Sequence, residues 1–163
     1  MTVLDRATES GGFGNVVADA QWADEVRRLA TDNQVWAMAR FRDPAARSEL
    51  ERLGVVCVTK DLATDSFEDL PPDLTHVFHA GAVVFTGGSE RDQALTFETN
   101  TQATGRLMAQ CRAVETFVHC STGGVYAWSP TPVTEDDRLG VTIGNYSLSK
   151  VAAESVVQFV ARQ

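Results

Sequence analysis

The sequence predicts an α/β protein built on an open, doubly wound parallel sheet, and three observations carry that prediction. Short runs of β-branched and apolar residues alternate with longer segments of helical periodicity. The runs lie far enough apart for crossover helices, which parallel neighbours need and antiparallel hairpins do not. The 163 residues, 44% apolar and 22% charged, have the size and composition of one globular domain. In such sheets ligands bind beyond the carboxyl ends of the strands, so residues just after strands are the ones to examine for chemistry.

Taken in order, Gly14 to Ala30 reads as an amphipathic helix, with Val16, Ala20, Ala23, Val26 or Arg27, and Ala30 near one face. "QVWAMAR" (34–40) is a strand ending in basic residues. "DPAARSELERLG" is a helix with Pro44 in its first turn and Gly54 just past its end, the placement helix termini prefer. "VVCVTKDL" and "THVFHAGAVV" are strands, "RDQALTFETNTQATGRLMAQCRAV" is one long helix, and "TFVHCS" is a further strand. "NYSLSKVAAESVVQFVARQ" closes the chain as a helix. The longest loop, "WSPTPVTEDDRLG", lies between that last strand and the closing helix, and a loop of this length in a compact domain is more often functional than idle.

Composition excludes several classes of function. A formal charge of −8 argues against nucleic acid as a partner, because such affinity rests on Lys and Arg neutralising phosphates. No run approaches the ~18–20 apolar residues of a membrane span. The start, "MTVLDRATESGG", has no basic region leading into an apolar stretch, so a cytoplasmic location is expected. Cys57, Cys111 and Cys120 are odd in number, lack CxxC spacing and sit in apolar segments, which reads as buried free thiols. His79 and His119, inside apolar strands and without a third ligand at metal spacing, read as packed, hydrogen-bonded histidines and no metal is expected.

The chemistry concentrates in Val118 to Lys150. Residues four apart share a helix face, so Tyr146 and Lys150 project side by side. A neighbouring ammonium favours the phenolate, which makes the tyrosine a usable proton donor or acceptor. A hydroxyl from Thr122 or Ser121, at the end of the preceding strand, could hold a substrate oxygen beside that phenol, with Thr122 the preferred choice and Ser121 capping the turn.

Four stretches, "HVFHAGA", "ETNTQATGRLMAQC", "FVHCSTGGVYA" and "NYSLSK", stand in an order that resembles the extended branch of the short-chain dehydrogenase/reductase superfamily, the branch of the NAD-dependent epimerases and dehydratases. They cover most of Asp61 to Gln163. The resemblance implies a Rossmann-like domain and hydride transfer at a carbonyl or alcohol carbon, with a nucleotide sugar as one candidate substrate. It implies that Thr122 orients the substrate oxygen, that Tyr146 is the catalytic acid or base, and that Lys150 holds the nicotinamide ribose and tunes the tyrosine. Asp61 and Leu62 match the pair that contacts adenine; Ala80, Gly81 and Ala82 line the cofactor's path, and Tyr126 belongs to the substrate-side wall. Gly123 and Gly124 stand where sugar-nucleotide 4,6-dehydratases carry an acidic pair, so that reaction is not expected. In related enzymes the helix corresponding to the closing one packs on its counterpart, and Val151, Val156, Val157, Phe159 and Val160 agree with a homo-oligomer formed there.

The sequence departs from the family in two places. The glycine fingerprint is degenerate: Gly11, Gly12 and Gly14 are present, but Val17 stands where the third glycine belongs. The glycines could form an anion-binding nest for the pyrophosphate or an ordinary loop. The helix with Lys150 also ends the chain, so residues 1–163 read as an incomplete NAD(P)-binding domain without the substrate-binding region. At the end of the second strand Arg40 and Arg42 precede any acid, which favours NADP over NAD unless they are plain surface arginines. A non-catalytic nucleotide-binding module, or a decayed fragment of such an enzyme, is the alternative reading.

Overall fold

Helices form where apolar residues recur every three or four positions and strands where β-branched residues cluster, and the computed structural model follows that pattern. It describes residues 2–3, 6–7, 20–84, 88–140 and 144–163, with side chains from Val26 onward. The elements run β1 (Thr2–Val3), β2 (Arg6–Ala7), α1 (Ala20–Asp32), β3 (Trp36–Ala39), α2 (Pro44–Arg52), β4 (Val56–Thr59), β5 (His76–His79), β6 (Ala82–Val83), α3 (Glu90–Phe97), α4 (Ala103–Gln110), β7 (Thr116–His119) and α5 (Asn145–Val160). Five strands form one sheet in the order β4-β3-β1-β5-β7, every pair parallel. The chain steps outward from β1 to β4 and then returns to the other side of β1, so the strand order reverses between β1 and β5. This is the doubly wound, Rossmann-like sheet, the kind in which ligands bind at the switch point in strand order. The extensions β2 and β6 pair in parallel beyond it, Arg6 with Ala82 and Ala7 with Val83.

Alternation along the strands divides the interior into two layers. Ala37 faces Val26 of α1 and Leu50 of α2, together with Val35 and Val55. Met38, its neighbour, faces the opposite way and packs with Val77, Leu62, Phe67 and Leu70 and with Ala103, Leu107 and Cys111. Val26, 3% exposed, therefore takes the core position of α1 that the sequence left open between it and Arg27, which is exposed. Asp43 caps α2, accepting a hydrogen bond from the Ala45 amide at 2.9 Å, and Gly54 follows the helix at φ +80°, where glycine alone is unstrained.

Several elements differ from their expected bounds; β4, for one, stops at Thr59, short of the expected Leu62. The first helix ends at Asp32, beyond Ala30, and its expected start at Gly14 lies outside the described residues. "THVFHAGAVV" is divided into β5 and β6, because the chain leaves the main sheet at Ala80 and Gly81 to pair with β2. The single helix expected over 91–114 is interrupted by a π turn at Glu98–Gln102 and ends at Gln110. Periodicity does not reveal a π turn, since it shifts register by only one residue.

Gly105 lets α4 and α5 touch. A Cβ there would stand 2.9 Å from Val156 Cγ1, and valine is too short and stiff to move aside. Gly105→Ala should therefore lower stability in urea by about 1 kcal/mol even though alanine is the better helix former by a similar amount, because overpacking costs ~1–3 kcal/mol. In a Val156→Ala background the same substitution should stabilise. A gain in the wild-type background would show that the helices are not in close contact.

Candidate functional site

Helix α5 begins after Gly144 and carries Tyr146 and Lys150 one turn apart, as the spacing requires. Tyr146 is half-buried, whereas Lys150 is 1% exposed, the largest of the fully buried side chains. A lysine held so deep is costly unless its charge is needed or easily given up. Burial lowers its pKa to about 8, against an upward pull from Cys120 and Glu154.

Opposite α5, the end of β7 turns into a short 3-10 segment, Gly123–Val125. Gly124 allows the contact: a Cβ there would lie 2.7 Å from Ser147 Oγ, so the turn meets α5 between Tyr146 and Lys150 in the sequence. The hydroxyls divide their work differently from expectation. Thr122, not Ser121, caps the turn, its Oγ1 accepting the Gly124 amide at 3.2 Å. Ser121 Oγ donates to Glu154 Oε1 one turn beyond Lys150. The change follows from reach: Ser121 lies against the helix, and Thr122 begins the turn. As an acceptor in its cap, Thr122 retains its hydroxyl proton for another partner.

Asn100, in the π turn, belongs to the Asn-x-x-x-x-Gly pattern of the stretch that carries the resemblance, but the sequence reading gave it no role. It is 0% exposed, and its amide is saturated: Oδ1 accepts the Val83 amide at 2.8 Å, and Nδ2 donates to the Val83 carbonyl at 2.9 Å and to Ser149 Oγ at 2.9 Å. Ser149 Oγ donates in turn to the Tyr146 carbonyl at 2.7 Å, and Thr101 Oγ1 donates to the Ser149 carbonyl. One side chain thus ties β6, beside the switch point, to the first turn of α5. A signal was present: Thr96, Asn100 and Thr104 fall four apart, on a face otherwise continued by Leu107.

The other expected cofactor residues lie at strand ends. Asp61 follows β4 in a loop fixed by its own Oδ1, which accepts the Ala63 amide, and by Asp65 Oδ2, which accepts the Asp61 amide, both at 2.9 Å. Arg106 of α4, also missed, holds the same loop from below through Nη2, which donates to the Leu62 and Ala63 carbonyls at 2.7 and 2.8 Å. The Leu62 side chain is a core residue, 1% exposed, which leaves its backbone for any ligand. Ala80, Gly81 and Ala82 join β5 to β6 and present almost no side-chain bulk; Gly81 and Ala82 are buried. Arg40 stands 3.8 Å from Asp61, so its charge is shared with a carboxylate and the expectation of NADP from that arginine loses its basis. Gly11, Gly12 and Gly14 lie outside the described residues. Tyr126 pairs with Leu139 in an antiparallel bridge that closes the neck of the 128–140 loop.

Beneath Lys150 lie two imidazoles. His79 is fully buried and bonds Thr104 through Nε2 at 2.8 Å; His119 stacks at 5.3 Å from it, tilted by 40°. His79 meets the expected description, but among the described residues neither nitrogen of His119 has a partner, nor does His79 Nδ1. Burial first, and Lys150 second, lower His119 to about 4, and burial with both neighbouring charges holds His79 well below the ordinary histidine range. The three cysteines are free, with Cys111 buried and Cys57 and Cys120 half-buried. Among the described residues no group of His, Cys, Asp or Glu could hold a metal.

A histidine whose folded pKa is depressed contributes stability that is complete above its unfolded value of ~6.5 and lost as pH falls through the folded one. Stability should therefore drop between pH 6.5 and 4, and His119→Gln should flatten that slope; urea midpoints across the range test it, and an unchanged slope would show that His119 titrates normally. For Lys150 the charged form is penalised in the folded state, so stability should rise between pH 8 and 10.5. Lys150→Met should stabilise the fold by on the order of 2 kcal/mol at pH 7, an advantage that shrinks as pH approaches 10.5.

Comparison with known proteins agrees with this fold. No curated protein sequence matches the chain. The UDP-glucuronic acid 4-epimerase of Bacillus cereus, solved with NAD, is 19% identical at a TM-score of 0.73 over 100% of this chain and 52% of that one. MoeE5, solved with UDP-glucose and NAD, is 24% identical at a TM-score of 0.74 over 100% and 50%. A short-chain dehydrogenase/reductase superfamily protein of Agrobacterium tumefaciens with bound NAD is 25% identical at 0.68 over 98% and 44%. The chain thus spans about half the length of these structures. The family model for NAD dependent epimerases and dehydratases matches residues 24–163, and with most of the chain inside that match the protein belongs to the NAD dependent epimerase/dehydratase family.

Proposed function

We propose that the chain is the nucleotide-binding and proton-transfer part of an NAD-dependent oxidoreductase or epimerase acting on a carbonyl or alcohol carbon, with a nucleotide sugar as the favoured substrate class. The observation that carries this reading is the buried Lys150 one turn from Tyr146, with the Thr122 turn held against the same helix by Gly124. The site fits a dinucleotide: Ala80, Gly81 and Ala82 leave room at the switch point, and Asp61 stands at the neighbouring strand end. Similar structures carrying NAD, and the pairing of Arg40 with Asp61, favour NAD over NADP.

NAD, when bound, supplies the hydride chemistry. The protein's share is proton transfer and orientation. Tyr146 gives or takes a proton at its phenolic oxygen; the Lys150 ammonium lowers the energy of the phenolate and would hold the ribose; the Thr122 hydroxyl would donate to the substrate oxygen.

Titration with NADH and NADPH, followed by turnover assays on UDP-sugars and simple ketones, tests the reading. NADH should bind the more tightly, and Tyr146→Phe should cut turnover by about 10²–10⁴-fold while leaving dinucleotide affinity within several-fold. Turnover unaffected by Tyr146→Phe would remove the tyrosine from the mechanism. Val17 at the third-glycine position favours a second reading, a binding module without turnover, which binding in the absence of any activity would support.

A self-association site follows on the same helix. Phe159 is 66% exposed near the end of α5, and a phenylalanine left in water there suits a helix–helix contact between two copies. Light scattering at micromolar concentration should report a dimer that Phe159→Glu dissociates. A monomeric wild-type chain with a cooperative unfolding transition would overturn this assignment.

A further inference from the structure

The Thr104 hydroxyl has one proton, and it goes to the Asn100 carbonyl at 2.8 Å. Its bond with His79 Nε2, also 2.8 Å, must then run the other way: the imidazole donates and the hydroxyl accepts. This fixes the tautomer of His79 as Nε2–H, with Nδ1 a bare acceptor, and among the described residues no partner reaches Nδ1. The chain of donors continues: His79 to Thr104, Thr104 to the Asn100 backbone, and the Asn100 side chain to Val83 and Ser149, whose hydroxyl reaches the Tyr146 carbonyl. His79, Thr104, Asn100 and Ser149 are each 0% exposed, so water cannot replace any one bond.

We propose that His79, as a neutral imidazole locked in the Nε2–H tautomer, is a positioning residue for the Tyr146–Lys150 pair, acting through Thr104 and Asn100. The importance of that pair rests on the function proposed above; the lock itself does not. A protonated ring would place a second cation in the layer that holds Lys150 from α5 and His119 from β7, with Phe117 edge-on at 6.1 Å. Neutrality is therefore the state that lets the ring donate at Nε2 without an adjoining buried charge. The π turn at Glu98–Gln102 presents the Asn100 carbonyl to Thr104 while its side chain faces Val83, so the imidazole holds the backbone of the residue whose amide clamps β6 and α5.

Two measurements on the whole chain test the lock. Long-range proton–nitrogen spectra should show His79 as the Nε2–H tautomer at neutral pH; an Nδ1–H or rapidly exchanging ring overturns the proposal. Amide exchange at Val83, whose N–H is held by Asn100 Oδ1, should accelerate about tenfold or more in Thr104→Val and His79→Leu relative to the Lys60 amide, which is bonded to the Ala39 carbonyl at the far side of the sheet. Thr104→Ser, which keeps the hydroxyl, should stay within about threefold of the wild type. Equal acceleration at Val83 and Lys60 in every variant would mean general destabilisation and would overturn the positioning role. Where the wild type turns over, kcat should follow the same pattern, lost in Thr104→Val and restored in Thr104→Ser. A wild type without dinucleotide binding or turnover sinks the function proposed above, whereas the tautomer and exchange data still decide the lock.

Discussion

A primary amide sealed from water must find every one of its partners inside the protein, and Asn100 does so by joining three segments distant in sequence. Its two donors and one acceptor are spent on Val83 and Ser149. An unpaired buried amide costs about 1–3 kcal/mol, so each of the partners is constrained by the needs of the other two. The π turn is the backbone's contribution. By widening the helix at one point it directs Asn100 toward β6 while Ala103, Thr104 and Leu107 still face the interior. The geometry of the Tyr146–Lys150 turn depends on this amide before it depends on any ligand.

The electrostatics of the site run against those of the whole molecule. The chain carries a formal charge of −8, yet among the described residues the most deeply buried ionisable groups, Lys150 and His79, are basic, and His119 lies beside them. Carboxylates remain outside this layer, the nearest influence being Glu154, which already accepts from Ser121. With the imidazoles held neutral by burial and by Lys150, the lysine is the one group of the three able to carry charge near neutral pH. A lysine brought to about 8 still holds its proton at neutral pH, so the one charge in this layer is a cation.

Much of this could be read from the sequence, for identifiable reasons. Strands and helices announced themselves because Val35 to Ala39 and Val55 to Thr59 are apolar runs of strand length and because Asp43, Pro44 and Gly54 bracket a helix with side-chain and backbone chemistry that hardly admits another reading. Tyr146 and Lys150 were visible through their spacing. The clamp made by Asn100 was not legible, because its stretch reads as ordinary amphipathic helix and the π turn that aims its side chain leaves little mark on the residue pattern. Arg106 gave no signal at all: an arginine on a helix reads as solvated, and only the tertiary fold shows its guanidinium beneath the Asp61 loop, over the Phe67 ring at 5.3 Å. That Thr122 and not Ser121 caps the turn was equally illegible, because two adjacent hydroxyls are told apart only once the direction of the turn is known.

The two faces of the sheet are not equally finished. On the face of α4 and α5, β5 and β7 direct Val77, His79, Phe117 and His119 inward against packed helices. On the other face the same strands present Phe78, Thr116 and Val118, the last 44% exposed, around a groove of about 540 Å³ that also takes in Leu29, Val35 and Leu74. Parallel strands are normally covered on both sides, and among the described residues this half-face is the less covered one. The residues of the candidate site lie on the other side, where Asn100, Thr104, Ser149 and Lys150 are sealed among α4, α5, the π turn and the ends of β5 and β6. What orders the candidate site is therefore contained within that layer, and the condition of the groove bears on stability before it bears on catalytic geometry.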